Sequence, residues 1–375
     1  MAELIEYTLG ELTINFDSAR RPIKSSDRTS GETPYYGASG IVDWVVGHTH
    51  DGDFLLISED GENLRSRSAP IAFETHGKVW VNNHAHVVAG RNPADTRLLR
   101  YALAQTDIAG YLTGSAQPKL SKSAMESIRL RLPTCDSRHA IAEVLGALDD
   151  KIAANDRTVR VLGNLSAALL EAELSKGQRS VPLGELATFH NRRRVPLSGR
   201  ERESRNGTVP YYGAAGQLDT VDEALFNEPL SLVGEDGTVM RDGGQPVVQY
   251  IWGPSWVNNH AHVLTGNGIS TELLSILLRR LNVAHLVTGA VQPKLSMGNL
   301  KSLEVAVPRD PTAIERRAQA HLAMHRATTD ENTILARTRD ELLPLLMSGK
   351  VRVGSKQVDA RDFIATDGDQ PVATE

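Results

Sequence analysis

The chain has a single cysteine, Cys135, in 375 residues. This excludes an internal disulfide and any zinc cluster built on thiolates, and it points to the cytosol. No apolar run approaches the roughly 18–20 residues that cross a bilayer. The opening Met1–Gly10 has no basic segment followed by an apolar core, so no secretory signal is expected. An excess of positive charge is missing as well, with 41 Lys and Arg against 46 Asp and Glu and a formal charge of −5. Binding to nucleic acid is therefore not advertised, but it stays open, because association responds to local potential rather than to net charge.

Catalytic signatures are also lacking. Ser348-Gly349-Lys350-Val351 has neither the upstream glycine nor the following hydroxyl of a phosphate-cradling loop. No G-x-G-x-x-G follows a predicted strand, so there is no dinucleotide fingerprint. Asn92-Pro93-Ala94-Asp95 is not the Asn/Asp-Pro-Pro-aromatic run of amino-methyltransferases. Cys135, beside Asp136 at a join between domain and helix, is poorly placed to act as a thiolate nucleophile.

What the chain does have is a copy of itself. Pro34-Tyr35-Tyr36-Gly37-Ala38 returns as Pro210-Tyr211-Tyr212-Gly213-Ala214, and Trp80 followed by Val81-Asn82-Asn83-His84-Ala85-His86-Val87 returns as Trp256 followed by Val257-Asn258-Asn259-His260-Ala261-His262-Val263. Residues 34–87 match 210–263 at 23 of 54 positions without a gap. Leu9-Gly10-Glu11-Leu12 recurs at Leu183-Gly184-Glu185-Leu186, and Gln117-Pro118-Lys119-Leu120-Ser121 at Gln292-Pro293-Lys294-Leu295-Ser296. A period near 175 is too long for a solenoid unit, so the chain is a tandem duplication of a whole domain.

Each copy reads as a mixed domain followed by a long helix. Short apolar runs at Phe54–Ser58 and Leu230–Val233 suit buried strands, and Trp80–Val88 is β-rich. Arg97–Ala104 and Glu272–Leu281 carry helical periodicity, and Leu132-Pro133 and Val307-Pro308 close the domains. Ile141, Leu145, Leu148, Ile152, Asn155, Val159, Leu162, Ser166 and Leu169 follow a heptad seam that ends near Lys176-Gly177. A second helix over Thr312–Met347 carries Ile314, Ala318, Leu322, Leu335, Leu342, Leu345 and Leu346 on its stripe, with His325 and Thr329 weakening its middle. Neither helix can bury its stripe alone, so the two pair antiparallel. The expected fold is α+β: two tandem mixed α/β domains, 1–133 and 179–308, and two long antiparallel helices, 134–178 and 309–350, in a pseudo-two-fold arrangement. A polar tail fills 351–375.

Two features bear chemistry. On a strand, His84 and His86 would face one side, as would His260 and His262, which could begin a zinc site or supply a base. The recurring carboxylates Asp43/Asp219, Glu59/Glu235 and Asp60/Asp236 do not have ligand-like spacing, so a structural role for the imidazoles is favoured. The other feature is a set of cations beside the Tyr-Tyr-Gly motifs: Arg20, Arg21, Lys24 and Arg28 in the first copy, and Arg192, Arg193, Arg194, Arg200, Arg202 and Arg205 in the second. Arg65, Arg67 and Lys119, with Arg241 and Lys294, add to them. Arg, Lys, Tyr, Asn and Gln hold phosphates and read base edges. The frame motifs match closely, whereas Glu62–Val79 and Thr238–Ser255 diverge. A shared scaffold with divergent polar loops suits two modules that read different short sequences.

In its order of elements and in the motifs just quoted, the sequence resembles the specificity (S) subunit of type I restriction–modification systems. Leu148-Asp149-Asp150-Lys151-Ile152 with Asn155 looks like that family's central conserved helix, and the run from Arg339 to Lys350 like its distal one. The resemblance implies two target-recognition domains, each binding one half of a split site on double-stranded DNA. It implies helices that set the spacer and dock two modification (M) subunits, together with restriction (R) subunits, in the cytoplasm. It places S-adenosylmethionine with the M subunits, ATP and Mg with the R subunits, and no cofactor or catalysis in this chain. Phosphate contacts are then expected from Arg20, Arg21, Lys24 and Arg192, Arg193 and Arg194. Base readers are expected among Tyr35, Tyr36, Arg65, Arg67, Tyr211, Tyr212 and Arg241, with Lys119 and Lys294 nearby. The alternatives are a metal-dependent hydrolase or nuclease using the His-x-His pairs, and a scaffold that joins proteins without touching DNA.

Overall fold

The computed structural model describes residues 4–91, 93–289 and 291–353, apart from the side chains of residues 93, 135 and 136. The surroundings of the Cys135 thiol, and the expected polar tail from residue 354 on, lie outside that description. The chain forms two compact units, one from the segments up to Ile152 and from Ile334 onward, the other from Ala153–Thr333. No described helix is long and apolar enough to cross a membrane.

In the first unit, Leu4–Thr8 pairs antiparallel with Arg129–Pro133, so the two ends of the domain close on each other. Between them, one four-stranded sheet runs in the order Thr13–Asn15, Ala85–Gly90, Phe54–Ser58, Ala72–Thr75. Every residue of the apolar Phe54–Ser58 run is buried, as expected for an inner strand covered on both faces. A second sheet runs Gly40–Val45, Ser30–Gly37, Lys78–Val81, His50–Asp51. The helix Pro93–Gln105 packs Leu98, Leu99, Ala102 and Leu103 into the core.

The second unit repeats this plan: Gln178–Pro182 pairs with Glu304–Pro308, and one sheet runs Ala187–Phe189, Ala261–Gly266, Leu230–Gly234, Val248–Ile251. Its other sheet has three strands, Gln217–Val221, Val209–Tyr212 and Trp256–Val257.

The repeated motifs are neighbours in space, which is why they recur together. Tyr35 and Tyr36 pair in parallel with Trp80 and Val81, as Tyr211 and Tyr212 do with Trp256 and Val257. Leu9 N–H donates to Ile128 and Leu183 N–H to Leu303. Leu120 N–H and Leu295 N–H reach the carbonyls of Glu59 and Glu235. The Thr-Gly before each Gln-Pro-Lys-Leu sits in a turn that only glycine fits. Gly114 and Gly289 have φ of +84° and +87°, and a Cβ there would stand 2.3 and 2.4 Å from the carbonyl oxygens of Gln117 and Gln292.

The central helix spans Cys135–Lys176 and the distal helix Thr312–Met347. All nine expected seam positions of the central helix, from Ile141 to Leu169, are buried or half-buried. The distal stripe needs one correction: Leu345 is 37 % exposed and Leu343, at 6 %, takes its place in the core. Successive helical residues turn by about 100°, so the face that buries Leu342, Leu343 and Leu346 carries Leu345 outward.

In the second unit the polar positions of the two helices find each other. Asn155 Nδ2 donates to Glu331 Oε2 and Asn332 Oδ1, both at 2.8 Å, and Ser166 Oγ meets His321 Nδ1 at 2.9 Å. Pairing 155 with 331–332 and 166 with 321 runs the segments antiparallel. His325, in the polar middle of the distal helix, packs instead on the domain, 5.6 Å from Trp252 and 6.4 Å from Tyr250. Asn155→Ala removes two donor bonds at a buried position and is expected to cost about 1–2 kcal/mol, read as a lower urea midpoint of the intact chain.

Candidate nucleic-acid interface

The His-x-His pairs do not converge. The strands begin at Ala85 and Ala261, so His84 and His260 fall in the preceding turns, where their N–H groups donate to the side-chain oxygens of Asn82 and Asn258. Their half-exposed imidazoles pair with Asp60 and Asp236. His86 and His262 lie on the strands and are fully buried. His86 Nδ1 meets Asp17 Oδ2 at 2.7 Å and its Nε2 meets the Leu120 carbonyl at 2.9 Å. His262 Nδ1 accepts from Asn191 at 2.9 Å, and its Nε2 donates to the Leu295 carbonyl at 2.8 Å. Burial holds the His262 imidazole below its ordinary pKa, against the pull of that carbonyl and of Glu235. Both buried rings tie the Gln-Pro-Lys-Leu segment to the sheet. Among the described residues, no group of three or more His, Cys, Asp or Glu side chains is placed to hold a metal.

The cations divide into two sets. Arg20 and Arg194 are interior fasteners. Arg20 Nη1 donates to Glu59 at 2.6 Å and to the Ala85 carbonyl at 2.9 Å. Arg194 Nη1 donates to Glu235 at 2.6 Å, Ala261 at 2.7 Å and Asn259 at 3.2 Å. Burial would raise the Glu59 carboxyl, but the Arg20 hydrogen bond and the charges of His86 and Arg20, with a hydrogen bond from Lys119, hold it below its usual range. Arg28 and Arg202 form a second matched pair, binding Asp43 and Asp219 and lying over the rings of Tyr35 and Tyr211 at 4.4 and 5.2 Å. Tyr35 and Tyr211 are 1 % exposed, and their hydroxyls accept from Ile23 N–H and Leu197 N–H, each at 3.0 Å. Their neighbours Tyr36 and Tyr212 are half-buried, and burial raises both phenols. Tyr36 stacks on Phe73 at 5.7 Å.

Other candidates are committed at the surface. Arg65 donates to the carbonyls of Gly114 and Ser115 at 2.6 and 3.0 Å. Arg67, in a left-handed conformation with φ +52°, donates to Leu103 and Thr106 at the end of the helix Pro93–Gln105. Arg193 binds Glu228 at 2.8 Å and lies over Phe226. Lys119 reaches Glu59 at 3.3 Å, which brings it to Arg20. Arg21, Lys24, Arg192, Arg200, Arg241 and Lys294 are exposed and make no ion pair among the described residues. Arg21 and Lys24 are drawn to the sheet carrying Tyr35. Arg21 N–H donates to Val81, the Arg21 carbonyl accepts from Trp80 Nε1 at 2.6 Å, and Ile23 is held by Tyr35. Asp17 and Asn191, which hold the buried imidazoles and the N–H groups of Val87 and Val263, carry no mark in the motifs, whereas the acid partners of the arginines recur visibly but without a role that spacing alone assigns.

Residues 3–160 and 176–319 both match the family described as the type I restriction modification DNA specificity domain. The chain belongs to that family. A Haemophilus influenzae protein named as a type I restriction enzyme specificity subunit is 40 % identical over 141 residues, which are 37 % of this chain and 36 % of that protein. The EcoprrI specificity subunit of Escherichia coli is 26 % identical over 116 residues, 31 % of this chain and 28 % of that one. The matched segments thus span about a third of these curated relatives. The crystal structure of a type I restriction–modification S subunit from M. genitalium superimposes with a TM-score of 0.60 at 16 % identity, covering 92 % of this chain and 96 % of that one. At that identity the likeness establishes the α+β specificity-domain fold.

Proposed function

We propose that this chain is the DNA-recognition subunit of a cytoplasmic type I restriction–modification complex. It reads a bipartite duplex target, one half-site per domain, and docks two M subunits, with R subunits, on its helices. The chemistry belongs to those partners: methyl transfer from S-adenosylmethionine in the M subunits, and ATP- and Mg-dependent work in the R subunits. The observation that carries this reading is the pair of specificity domains in one chain, built on the same internal fasteners (Arg20/Arg194, Arg28/Arg202, Tyr35/Tyr211) but carrying different exposed residues. Co-expression with the adjacent methyltransferase and genome-wide mapping of methylated adenines tests it. A split motif with a fixed unread gap is expected, and a continuous motif or none would refute the reading.

The exposed cations Arg21, Lys24 and Arg192 take the phosphates in this reading, with Arg241 and the half-exposed Tyr36 and Tyr212 near the bases. Arg192→Ala is expected to leave the urea midpoint unchanged. It should weaken binding similarly across sequences and lower the slope of log K against log salt by about 1, as loss of one phosphate contact does.

A further inference from the structure

The strand Gly40–Val45 is the outer edge of its sheet, paired only with Ser30–Gly37. Edge strands are commonly blunted by charge. Here Ile41, Val42, Trp44 and Val46 stand 47, 56, 50 and 60 % exposed within six residues. One exposed hydrophobe is ordinary, whereas four along one edge make a patch that calls for a partner.

The duplication supplies an internal control. The second hairpin has the same fixed points: Asp219 bound by Arg202 as Asp43 is by Arg28, Val221 buried like Val45, and Tyr211 buried like Tyr35. Yet at the positions of Ile41, Trp44 and Val46 it carries Gln217, Thr220 and Asp222, and only Val42 has an apolar equivalent, Leu218. The fold therefore does not need apolar side chains at these places.

Resting on the reading of the chain as a DNA-recognition subunit, we propose that this edge reads thymine methyl groups in the half-site of the first domain, and that the polar second hairpin does not use this mode. The same sheet also carries charge that fits a duplex, on the strand Lys78–Val81, across Ser30–Gly37 from the edge. Arg21 and Lys24, exposed and free of ion pairs among the described residues, are pinned to the same sheet through Trp80 and Tyr35. A two-stranded ribbon fits the major groove, where the C5-methyl of thymine is the one apolar group on any base edge. The two domains thus differ in how they read, by methyl contact in one and by hydrogen bonding in the other.

The test uses the complex of the intact chain with its methyltransferase, on a duplex carrying its own mapped site. Each thymine is replaced in turn by deoxyuridine, which removes the methyl alone. Affinity should fall about four-fold per contacted methyl, in one half-site only. The triple variant I41Q/W44T/V46D, built from the residues the second hairpin already carries, should abolish the difference between thymine and deoxyuridine while keeping the urea midpoint. W44A should do so in part. A half-site without thymine, equal binding of all deoxyuridine duplexes, or losses in both half-sites would overturn the proposal. So would release of the methyltransferase from the triple variant with methyl discrimination intact, which would make the edge a protein contact. In each of these outcomes the complex still binds a bipartite site, whereas no sequence-dependent binding at all would refute the recognition reading itself.

Discussion

Arg194→Ala lowers the stability of the second domain by about 3 kcal/mol, the size expected when one partner of a buried, hydrogen-bonded ion pair is removed. The guanidinium and the Glu235 carboxylate are only 13 and 17 % exposed, so little solvent screens their attraction. The same side chain also donates to the carbonyls of Asn191, Asn259 and Ala261, so its loss takes a donor from each and leaves the Glu235 carboxylate, among the described residues, beside the His262 ring alone at 3.3 Å. Arg20→Ala in the first domain should cost less, about 2 kcal/mol. There Glu59 keeps a cation, Lys119 at 3.3 Å, and Asp17, the second acid that Arg20 touches at 3.4 Å, keeps the His86 ring at 2.7 Å. Urea unfolding of both variants gives the ranking, and an Arg20 variant less stable than the Arg194 variant would contradict it. The pH dependence follows from Glu59, whose folded pKa is depressed. Its contribution is complete above the unfolded carboxylate pKa and is lost as pH falls through the lower folded value. Wild type and Arg20→Ala should therefore converge in acid and differ most near neutrality.

These fasteners were legible in principle. Arg20 and Arg28 recur as Arg194 and Arg202 at a shift of 174, while their acids Glu59 and Asp43 recur as Glu235 and Asp219 at a shift of 176. A cation before the hairpin and an acid within or after it, each repeated, is the mark of an internal pair, whereas Arg21, whose counterpart is Val195, is repeated by nothing. Composition alone groups all these arginines as one basic surface, because it carries no information about which face of the hairpin a side chain takes. The Tyr-Tyr motif shows the same limit. Adjacent strand residues point to opposite faces, so one ring of each pair is buried and the other half-open. The His-x-His spacing misleads for a local reason, since the strand starts one residue too late to carry both rings. His325 looked like a fault in the distal stripe because it makes sense only against Tyr250 and Trp252, just as Asn155 and Ser166 make sense only against Asn332 and His321, and both sets of contacts are tertiary. The exposed edge at Ile41–Val46 left no mark in a pattern search, because apolar alternation predicts a strand but not whether anything covers it.

Asp149→Ala should destabilise the first unit by about 3 kcal/mol, through the contact that joins its domain to both helices. The Asp149 carboxylate on the central helix is bound by Arg100 and Tyr101 from the helix Pro93–Gln105, and by Arg339 of the distal helix at 2.7 Å. Without it, Arg100 keeps only Glu74 at 3.0 Å, and Arg339 keeps the more exposed Asp340. Burial would raise the Asp149 pKa, but the Tyr101 hydroxyl and the two guanidinium groups outweigh it and hold the carboxyl low. Stability from this group is thus present above the unfolded aspartate value, about 3.9, and is lost as pH falls below it. Asp149→Asn, which keeps the shape without the charge, should lag wild type by a constant amount above about pH 5 and close the gap below about pH 4. A gap that widens in acid would show that the charge is not what holds the junction. The second unit solves the same problem with the roles exchanged. Glu272 and Tyr250 belong to the domain, and Arg326 on the distal helix reaches Glu272 at 2.9 Å. A carboxylate shared by arginine and tyrosine thus fixes the first domain to both helices and the second to the distal helix. In the proposed complex, Asp149→Ala should therefore degrade methylation specificity at the first half-site while the second half-site is still read.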